Sequence, residues 1–230
     1  MKTIGLLGGM SWESSAGYYK LINETIKTEL GGLHSAKCIL FSVDFQEIET
    51  YQFSNQWDKS AELLTDACLS LEKAGADYIV ICTNTMHKVA EVLQQKINIP
   101  ILHIAKVTSA ELKRNKIKKV GLLGTKFTME ENFYKQIIEN DGIEVIIPNQ
   151  NDRDKISKII YEELCLGELK EKSKQFYLEV VDRLHQQGAQ GVILGCTEIG
   201  MLISKSDTAV PLFDTTKIHA VEAALKSLEK

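Results

Sequence analysis

The 230-residue sequence is poor in proline and aromatic residues, and it contains no long apolar run. It has only 3 Pro, and aromatic residues make up 7% of the chain. No apolar stretch reaches the roughly 18 residues expected of a membrane-spanning helix. The short N-terminal run is interrupted by glycine and does not resemble a signal peptide. We therefore expect a cytoplasmic protein with no membrane partner.

The sequence also lacks an excess of positive charge and any zinc-like spacing of cysteine. The 27 Lys and Arg are outnumbered by 31 Asp and Glu, giving a formal net charge of -4. This balance argues against a nucleic-acid partner, which usually needs a basic face. The 5 Cys are scattered, with no CxxC motif and no Cys/His pair. We expect free thiols in a reducing compartment and no metal.

Short apolar segments alternate with longer amphipathic ones along the whole chain. Continuous apolar strands, each followed by a helix, are typical of a parallel sheet that is buried on both faces. The predicted class is therefore α/β, with a parallel sheet flanked by helices. The predicted strands are Thr3–Leu7, Lys37–Val43, Tyr78–Cys82, Lys119–Leu123, Glu144–Ile147 and Gly191–Leu194.

An internal repeat divides the chain into two similar lobes. Three segments recur in the same order at offsets of about 111 to 116 residues, which is typical of a duplicated unit. We predict a first lobe of residues 1–103 plus 213–230 and a second of residues 104–212, related by a pseudo-two-fold axis. The terminal helix from His219 should return to the first lobe, and residues 149–155 should form a surface connection. The repeated pairs begin at Ile4 and Val120, at Gly75 and Gly188, and at Pro100 and Pro211.

Ligands of open parallel sheets bind beyond the carboxyl ends of the strands, so we expect the active site in the cleft between the lobes. The first glycine-rich turn, Gly8–Ser15, suggests that backbone N–H groups bind a small carboxylate at a helix N-terminus. Its glycines, at positions 5, 8 and 9, do not form the dinucleotide fingerprint GxGxxG, so no nucleotide cofactor is expected.

Thr83 and Cys196 occupy equivalent positions at the strand ends of the two lobes. A thiol followed by a Thr hydroxyl and the start of a helix is a place where a lowered pKa is expected. A small core cysteine is the alternative interpretation, and we expect the other four cysteines to fill the core. Two groups facing each other across a pseudo-two-fold suit inversion of a stereocentre, because one proton leaves one face while another arrives at the opposite face.

At these loops the sequence resembles the cofactor-independent aspartate/glutamate racemase family, most closely its L-aspartate/glutamate-specific branch. The resemblance covers essentially the whole chain, and its motifs are specific only as a set. It implies a two-base mechanism without pyridoxal phosphate, metal or nucleotide, and a homodimer. The motifs are Gly5–Ser14, Cys82–His87, Tyr161–Gly167 and Gly195–Glu198.

The first lobe departs from the family pattern, in which a cysteine precedes Asn-Thr. Here Thr83 stands before Asn84 and Thr85, and Cys82 comes one residue early. Adjacent strand side chains point to opposite faces, so Cys82 should point away from the cleft unless the register slips by one residue. The resemblance therefore implies an asymmetric site, in which Cys196 removes the α-proton as a thiolate. Thr83 returns a proton to the other face, directly or through water.

Candidate residues for binding the amino-acid substrate surround these two positions. We expect Asn84, Thr85 and Thr197 to contact the α-carboxylate and ammonium groups. From their positions, we expect Met10 to line the cleft and Glu198 to support Cys196. Gln52 is expected to contact the side chain of the substrate, with Gln46 behind it. Direct roles for His87 and His103 stay open beside structural ones.

The identity of the substrate also stays open. The only Arg, at 114, 153 and 183, lie outside these loops, although arginine is the usual partner of a distal carboxylate. Some relatives carry Lys where this chain has Cys165, so a neutral analogue such as homoserine is an alternative to aspartate or glutamate. A single-thiol decarboxylase or isomerase of a small dicarboxylate, and an inactive amino-acid-binding protein, are the alternative functions.

Overall fold

The computed structural model describes residues 1–229, and these residues form two compact units. Unit 1 consists of Met1–Ile104 and the residues from His219 onward, and unit 2 consists of Ala105–Ile218. Each unit contains a four-stranded sheet in which every strand pair is parallel. The predicted α/β class is confirmed. None of the helices in residues 1–229 combines the length and apolarity needed to cross a membrane.

Unit 1 has the strand order β2-β1-β3-β4. A 3-10 turn, Thr85–Val89, follows β3 and leads directly into α4. Its elements are β1 (Ile4–Gly8), α1 (Trp12–Leu30), β2 (Cys38–Ser42), α2 (Phe45–Phe53), α3 (Trp57–Lys73), β3 (Tyr78–Ile81), α4 (Ala90–Gln94), β4 (Ile101–Leu102) and the start of α5 (Ile104–Arg114).

Unit 2 repeats this order as β6-β5-β7-β8, so the topology supports the duplication inferred from sequence. A second 3-10 turn, Leu164–Leu166, follows α8. After α5 its elements are β5 (Lys119–Gly124), α6 (Lys126–Glu130), α7 (Asn132–Asn140), β6 (Glu144–Ile146), α8 (Gln150–Glu162), α9 (Glu171–Gln186), β7 (Val192–Gly195), α10 (Ile199–Leu202), β8 (Leu212–Asp214) and the first turn of α11 (Thr215–Leu228).

The second boundary between the units lies later in the chain than the sequence suggested. The predicted division between residues 212 and 213 would cut through β8, which pairs with β7 along Val192–Leu194. The hydroxyl of Thr215 also donates to the carbonyl of Leu194 over 2.8 Å. These bonds keep residues 212–218 in unit 2, and the chain passes to unit 1 within α11.

Alternating side chains of the unit 1 strands fill two separate clusters, one on each face of the sheet. Tyr78, Val80 and Cys82 pack in a cluster with α1 residues such as Tyr18, whereas Ile79 and Ile81 belong to the cluster formed with α3. This is the period-two alternation expected of a strand that is buried on both faces.

The C-terminal helix α11 returns to unit 1, as predicted. Its small residues Ala220, Ala223 and Ala224 are fully buried in the cluster with α1 and β3. The hydroxyl of Tyr78 donates to the carbonyl of Ala223 over 2.5 Å. The absence of larger side chains lets this helix lie close to the sheet.

The surface connection predicted for residues 149–155 is wrong, because this segment begins α8. Asn149 is the N-cap, and its side-chain oxygen accepts the backbone N–H of Asp152 over 3.0 Å. A polar run rich in Asn and Asp is compatible with both a loop and a capped first helical turn. The apolar period that reveals the helix, Ile156, Ile159 and Ile160, comes only after this turn.

Candidate active site

The loop that follows β3 carries Thr83 in unit 1. Thr83 is half-buried, while Cys82 is 1% exposed and packs in the core cluster beneath α1 and α11. Burial raises the pKa of the Cys82 thiol far above its usual range. The structure thus places Cys82 in the core and gives no support to a slip in register that would bring its thiol into the loop.

The first turn of α1 holds the β3 loop from one side. The hydroxyl of Ser14 donates to the carbonyl of Cys82 over 2.9 Å, and Ser11 caps α1 by accepting the N–H of Ser14. Gly9, in the preceding turn, has φ +92, and a Cβ there would lie 2.2 Å from the carbonyl oxygen of Val43. Only glycine permits this close passage of the β1 loop past the end of β2.

Most of the predicted binding residues of unit 1 are buried around the same loop. Asn84 and Thr85 are 2% and 5% exposed, on the chain that enters the 3-10 turn. Gln52, on α2, is 4% exposed, and its amide donates to the sulfur of Met86 over 3.0 Å. This contact ties α2 to the loop.

The two remaining candidates of unit 1, Met10 and Gln46, lie in different surroundings. Met10 is 3% exposed and packs in the core cluster with Met86, so its side chain takes part in the apolar interior of unit 1. Gln46 is on the exposed side of α2, where its amide donates to Glu49 over 3.0 Å. Of the two glutamines, Gln52 is the one bonded to the 3-10 turn that follows β3.

His87 and His103 lie together in unit 1. Their ring centroids are 4.6 Å apart, and the ring of His219 lies 5.9 Å from that of His87. His219 was not identified as a candidate, because 132 residues separate it from His87 in sequence and only the return of α11 brings it here. Both ring nitrogens of His87 bond to backbone groups.

In unit 2, Cys196 follows β7 and is paired with a carboxylate. Its thiol donates to Oε2 of Glu198 over 3.0 Å, and the hydroxyl of Thr197 donates to the same oxygen over 2.6 Å. Glu198 is 3% exposed and Cys196 is 9% exposed. The preceding Gly195 lies so close to β5 that a Cβ would be 2.7 Å from the carbonyl oxygen of Leu123.

The electrostatics of Cys196 differ from the expectation of a lowered pKa. Burial raises the pKa of its thiol well above the usual range, and the nearby charge of Glu198 raises it further. The local helix, α10, has only 4 residues and offers little dipole to oppose these effects. The thiol is therefore protonated at neutral pH, and the bonded carboxylate is an acceptor for its proton.

The expectation that the other four cysteines fill the core holds for Cys68 and Cys82, which are buried. Cys38 and Cys165 are half-buried. Cys165, on the 3-10 turn after α8, is close enough to contribute to the raised pKa of Cys196. It belongs to the Tyr161–Gly167 motif on which the family resemblance partly rests.

No group of three or more His, Cys, Asp and Glu side chains within residues 1–229 is arranged to hold a metal ion. Within unit 1 the loop around Thr83 offers hydroxyl and amide groups, and within unit 2 Cys196 and Thr197 offer a thiol and a hydroxyl bonded to the carboxylate of Glu198. In unit 2 alone, the thiol and the carboxylate form a pair between which a proton can move.

Comparison with known proteins identifies the family. A family model described as Asp/Glu/hydantoin racemase matches residues 7–223. A crystal structure from Yersinia pestis, provisionally assigned as an Asp/Glu racemase, is 53% identical with a TM-score of 0.92 and covers 100% of both chains. An aspartate racemase homologue from Pyrococcus horikoshii is 34% identical with a TM-score of 0.86, again over 100% of both chains.

A curated relative from Bacillus subtilis, the broad specificity amino-acid racemase RacX, is 23% identical over 223 residues, which represent 93% of this chain and 92% of the relative. The two-lobe architecture matches that of solved glutamate racemases, including the one from Aquifex pyrophilus. These relatives confirm the predicted enzyme class, amino-acid racemase. The chain belongs to the Asp/Glu/hydantoin racemase family.

Proposed function

We propose that the chain interconverts the L- and D-forms of aspartate, glutamate or a close analogue such as homoserine, without a cofactor. The observation that carries this proposal is the hydrogen bond from the Cys196 thiol to Glu198. At the end of a strand, this bond pairs a thiol that can become the catalytic base with the carboxylate that can accept its proton. The pair occurs in a chain that belongs to a family of racemases. A binding protein would have no need for such a pair.

The reaction begins with the transfer of the thiol proton of Cys196 to Oε2 of Glu198. The resulting thiolate removes the α-proton of the L-amino acid, and the electron pair of the broken C–H bond passes to the α-carboxylate as an enediolate. A thiol suits this step because its pKa can be tuned towards neutrality, and here Glu198 is the acceptor that holds the thiol proton. The hydrogen bond from Thr197 to Glu198 orients the carboxylate.

Inversion requires the second proton to arrive on the opposite face of the α-carbon. We assign this step to the hydroxyl of Thr83, which donates its proton to the α-carbon and is reprotonated by water. The hydroxide so formed takes up the proton that Glu198 received from Cys196, which returns the carboxylate to its starting state. A Thr hydroxyl has no accessible anion near neutral pH, so it is a poor base but an acceptable donor. Consequently turnover should be slow and biased towards L-substrates.

Asn84, Thr85 and Thr197 are the proposed ligands of the α-carboxylate and ammonium groups, and Gln52 is the proposed contact of the substrate side chain. Three of these four belong to the loops that carry Thr83 and Cys196, and Gln52 is bonded to Met86 at the edge of the first loop. Because no arginine lies in these loops, neutral side chains such as that of homoserine are included in the substrate range.

The test is incubation of the protein with L-aspartate, L-glutamate and L-homoserine in D2O, followed by chiral chromatography and mass measurement of each enantiomer. Racemisation requires the D-enantiomer to appear with one deuterium at the α-carbon. Loss of a carboxyl group or amine would instead indicate a single-thiol decarboxylase or related enzyme. Binding without exchange would indicate an inactive amino-acid-binding protein.

Two variants separate the two proton transfers. Replacing Cys196 with Ser should abolish deuterium exchange and inversion together. Replacing Thr83 with Val, which keeps the shape of the side chain, should reduce D-product while deuterium still enters the recovered L-substrate. Cys82→Ser serves as the control because Cys82 packs in the core. Exchange that persists undiminished in the Cys196 variant would contradict the mechanism.

A further inference from the structure

His87 is a buried side chain of unit 1 that bonds to the backbone on both sides. It is 2% exposed and lies on the 3-10 turn that follows the Thr83 loop. Its Nδ1 lies 2.8 Å from the carbonyl oxygen of Thr83, and its Nε2 accepts the backbone N–H of Ile104 over 3.1 Å. The ring therefore connects the main chain of Thr83 to the first residue of α5.

The backbone partners determine where the ring carries its proton. A carbonyl oxygen only accepts, so Nδ1 must hold the hydrogen that bonds to Thr83, and an N–H only donates, so Nε2 must present its lone pair to Ile104. The ring is therefore neutral, in a single tautomer. Protonation at Nε2 would place its N–H opposite the backbone N–H of Ile104, and the bond to Ile104 would be lost.

The charged and titratable groups that face His87 favour the same neutral state. Burial, together with His103 after β4 and His219 on α11, lowers the pKa of His87 well below its usual value. His219 is bonded in a similar way, since its Nε2 donates to the carbonyl of Leu102 over 2.8 Å. Its Nδ1 accepts the hydroxyl of Tyr18 over 2.9 Å. His87 has no acid–base task in this setting.

We propose that His87 is a positioning residue for inversion, which fixes the main chain of Thr83 and thereby aims its hydroxyl at the substrate. This inference rests on the proposed role of Thr83. The bond is made to the carbonyl of the proposed proton donor itself, one residue beyond the bond from the Cys82 N–H to the Leu7 carbonyl of β1. A misplacement of about 1 Å at a reacting group can cost about 100-fold in rate.

The two bonds of His87 can be removed separately. In His87→Asn the amide nitrogen takes the place of Nδ1 and can still donate to Thr83, whereas the contact with Ile104 is lost. In His87→Gln the amide reaches the place of Nε2, and the bond to Thr83 is lost. The matched control is His185→Gln, because His185 is exposed in unit 2 and its Nδ1 also bonds to a backbone carbonyl, that of Ala189, over 2.8 Å.

The readout is the ratio of inversion to deuterium exchange, measured with an L-substrate in D2O. Exchange requires Cys196 and its acceptor Glu198, whereas inversion also requires the donor Thr83. A general loss of structure therefore lowers both rates and leaves their ratio unchanged. We expect His87→Gln to reduce the ratio by about 10- to 100-fold. We expect His87→Asn to restore most of it, and His185→Gln to leave it at the wild-type value.

The ratio should also be independent of pH from about 6.5 upwards, since His87 stays neutral there. An unchanged ratio in a folded His87→Gln protein would overturn the inference and leave the proposed racemase function intact. If His87→Gln does not fold, a strongly reduced ratio in His87→Asn would overturn the assignment of the bond to Thr83. Failure of the wild-type protein to exchange any α-proton would instead overturn the proposed function itself.

Discussion

At the scale of single residues, Glu198 has two opposing effects on Cys196. Beyond the larger effect of burial, its charge and its hydrogen bond raise the pKa of the thiol, which disfavours the thiolate. The same carboxylate oxygen, 3.0 Å from the sulfur, is the acceptor through which the thiol loses its proton. Removing the charge of Glu198 should lower the pKa of the thiol and also remove the proton acceptor. A single substitution therefore separates the two effects.

We expect Glu198→Gln to lower the pKa of Cys196 and nevertheless to slow racemisation. Alkylation of Cys196 by iodoacetamide, followed by mass spectrometry of its peptide, should shift to lower pH because the neighbouring negative charge is gone. Racemisation should fall by about 100-fold or more, as is typical when a proton-transfer group is lost. Glu162→Gln, an exposed carboxylate on α8, is the control. Full activity in Glu198→Gln would show that this carboxylate is not the proton acceptor.

Sequence reasoning succeeded best for residues that lie directly after a strand. The repeat and the strand pattern located Thr83 and Cys196 at the ends of β3 and β7, and the alternation of strand side chains correctly directed Cys82 to the core. The environment of Cys196 could not be derived in this way. Its pKa depends on burial and on the rotamer of Glu198, neither of which is a local property of the sequence.

At the scale of elements, α8 shows how a helix start is hidden in a polar segment. Its first turn contains no apolar residue, and the evidence for the helix is the cap formed by Asn149. The strands β4 and β8 were recognised only as repeated segments, because 2 and 3 residues are too few to show periodicity. The equally short β6, with 3 residues, was predicted as a strand because apolar residues follow one another there. Local composition predicts such ends poorly, since the bonds that define them come from neighbouring strands or caps.

We expect Asn149→Ala to lower the free energy of unfolding by about 1 kcal/mol. The substitution removes the side-chain oxygen that accepts the N–H of Asp152, and this N–H is otherwise one of the unpaired donors of the first turn. Urea unfolding followed by circular dichroism would measure the change. The control is Asn151→Ala, at an exposed position two residues further on in the same helix. Equal losses in the two variants would show that the cap does not stabilise α8.

At the scale of the whole molecule, its overall charge and its buried histidines set different responses to pH. The net charge of -4 is small for a chain of this length, so general charge repulsion is weak near neutrality. Two histidines of unit 1, His87 and His219, are buried in the neutral form, and each makes hydrogen bonds that its protonation would break. Acid should therefore destabilise unit 1 through these two specific sites.

His219 supplies the clearest prediction, because burial lowers its pKa from 6.5 to about 4. In the unfolded chain this histidine binds a proton near pH 6.5, whereas the folded protein resists protonation until about pH 4. The unfolded state thus holds more protons between these values, so stability is fully present above pH 6.5 and falls as the pH drops towards 4. The loss from this residue should reach the order of 3 kcal/mol by pH 4.

Urea unfolding at a series of pH values would measure this loss in the wild-type protein and in His219→Gln. The variant should be less stable at pH 7, because a glutamine does not reproduce both the bond to Tyr18 and the bond to Leu102. Its stability should nevertheless decline less steeply from pH 6.5 to 4, since the titrating ring is gone. The control is His34→Gln, at an exposed position, whose stability should decline as steeply as that of the wild type. Carboxylates that titrate in the same range affect all three proteins equally and cancel in the comparison. An identical slope in His219→Gln and the wild type would mean that His219 does not resist protonation in the folded protein.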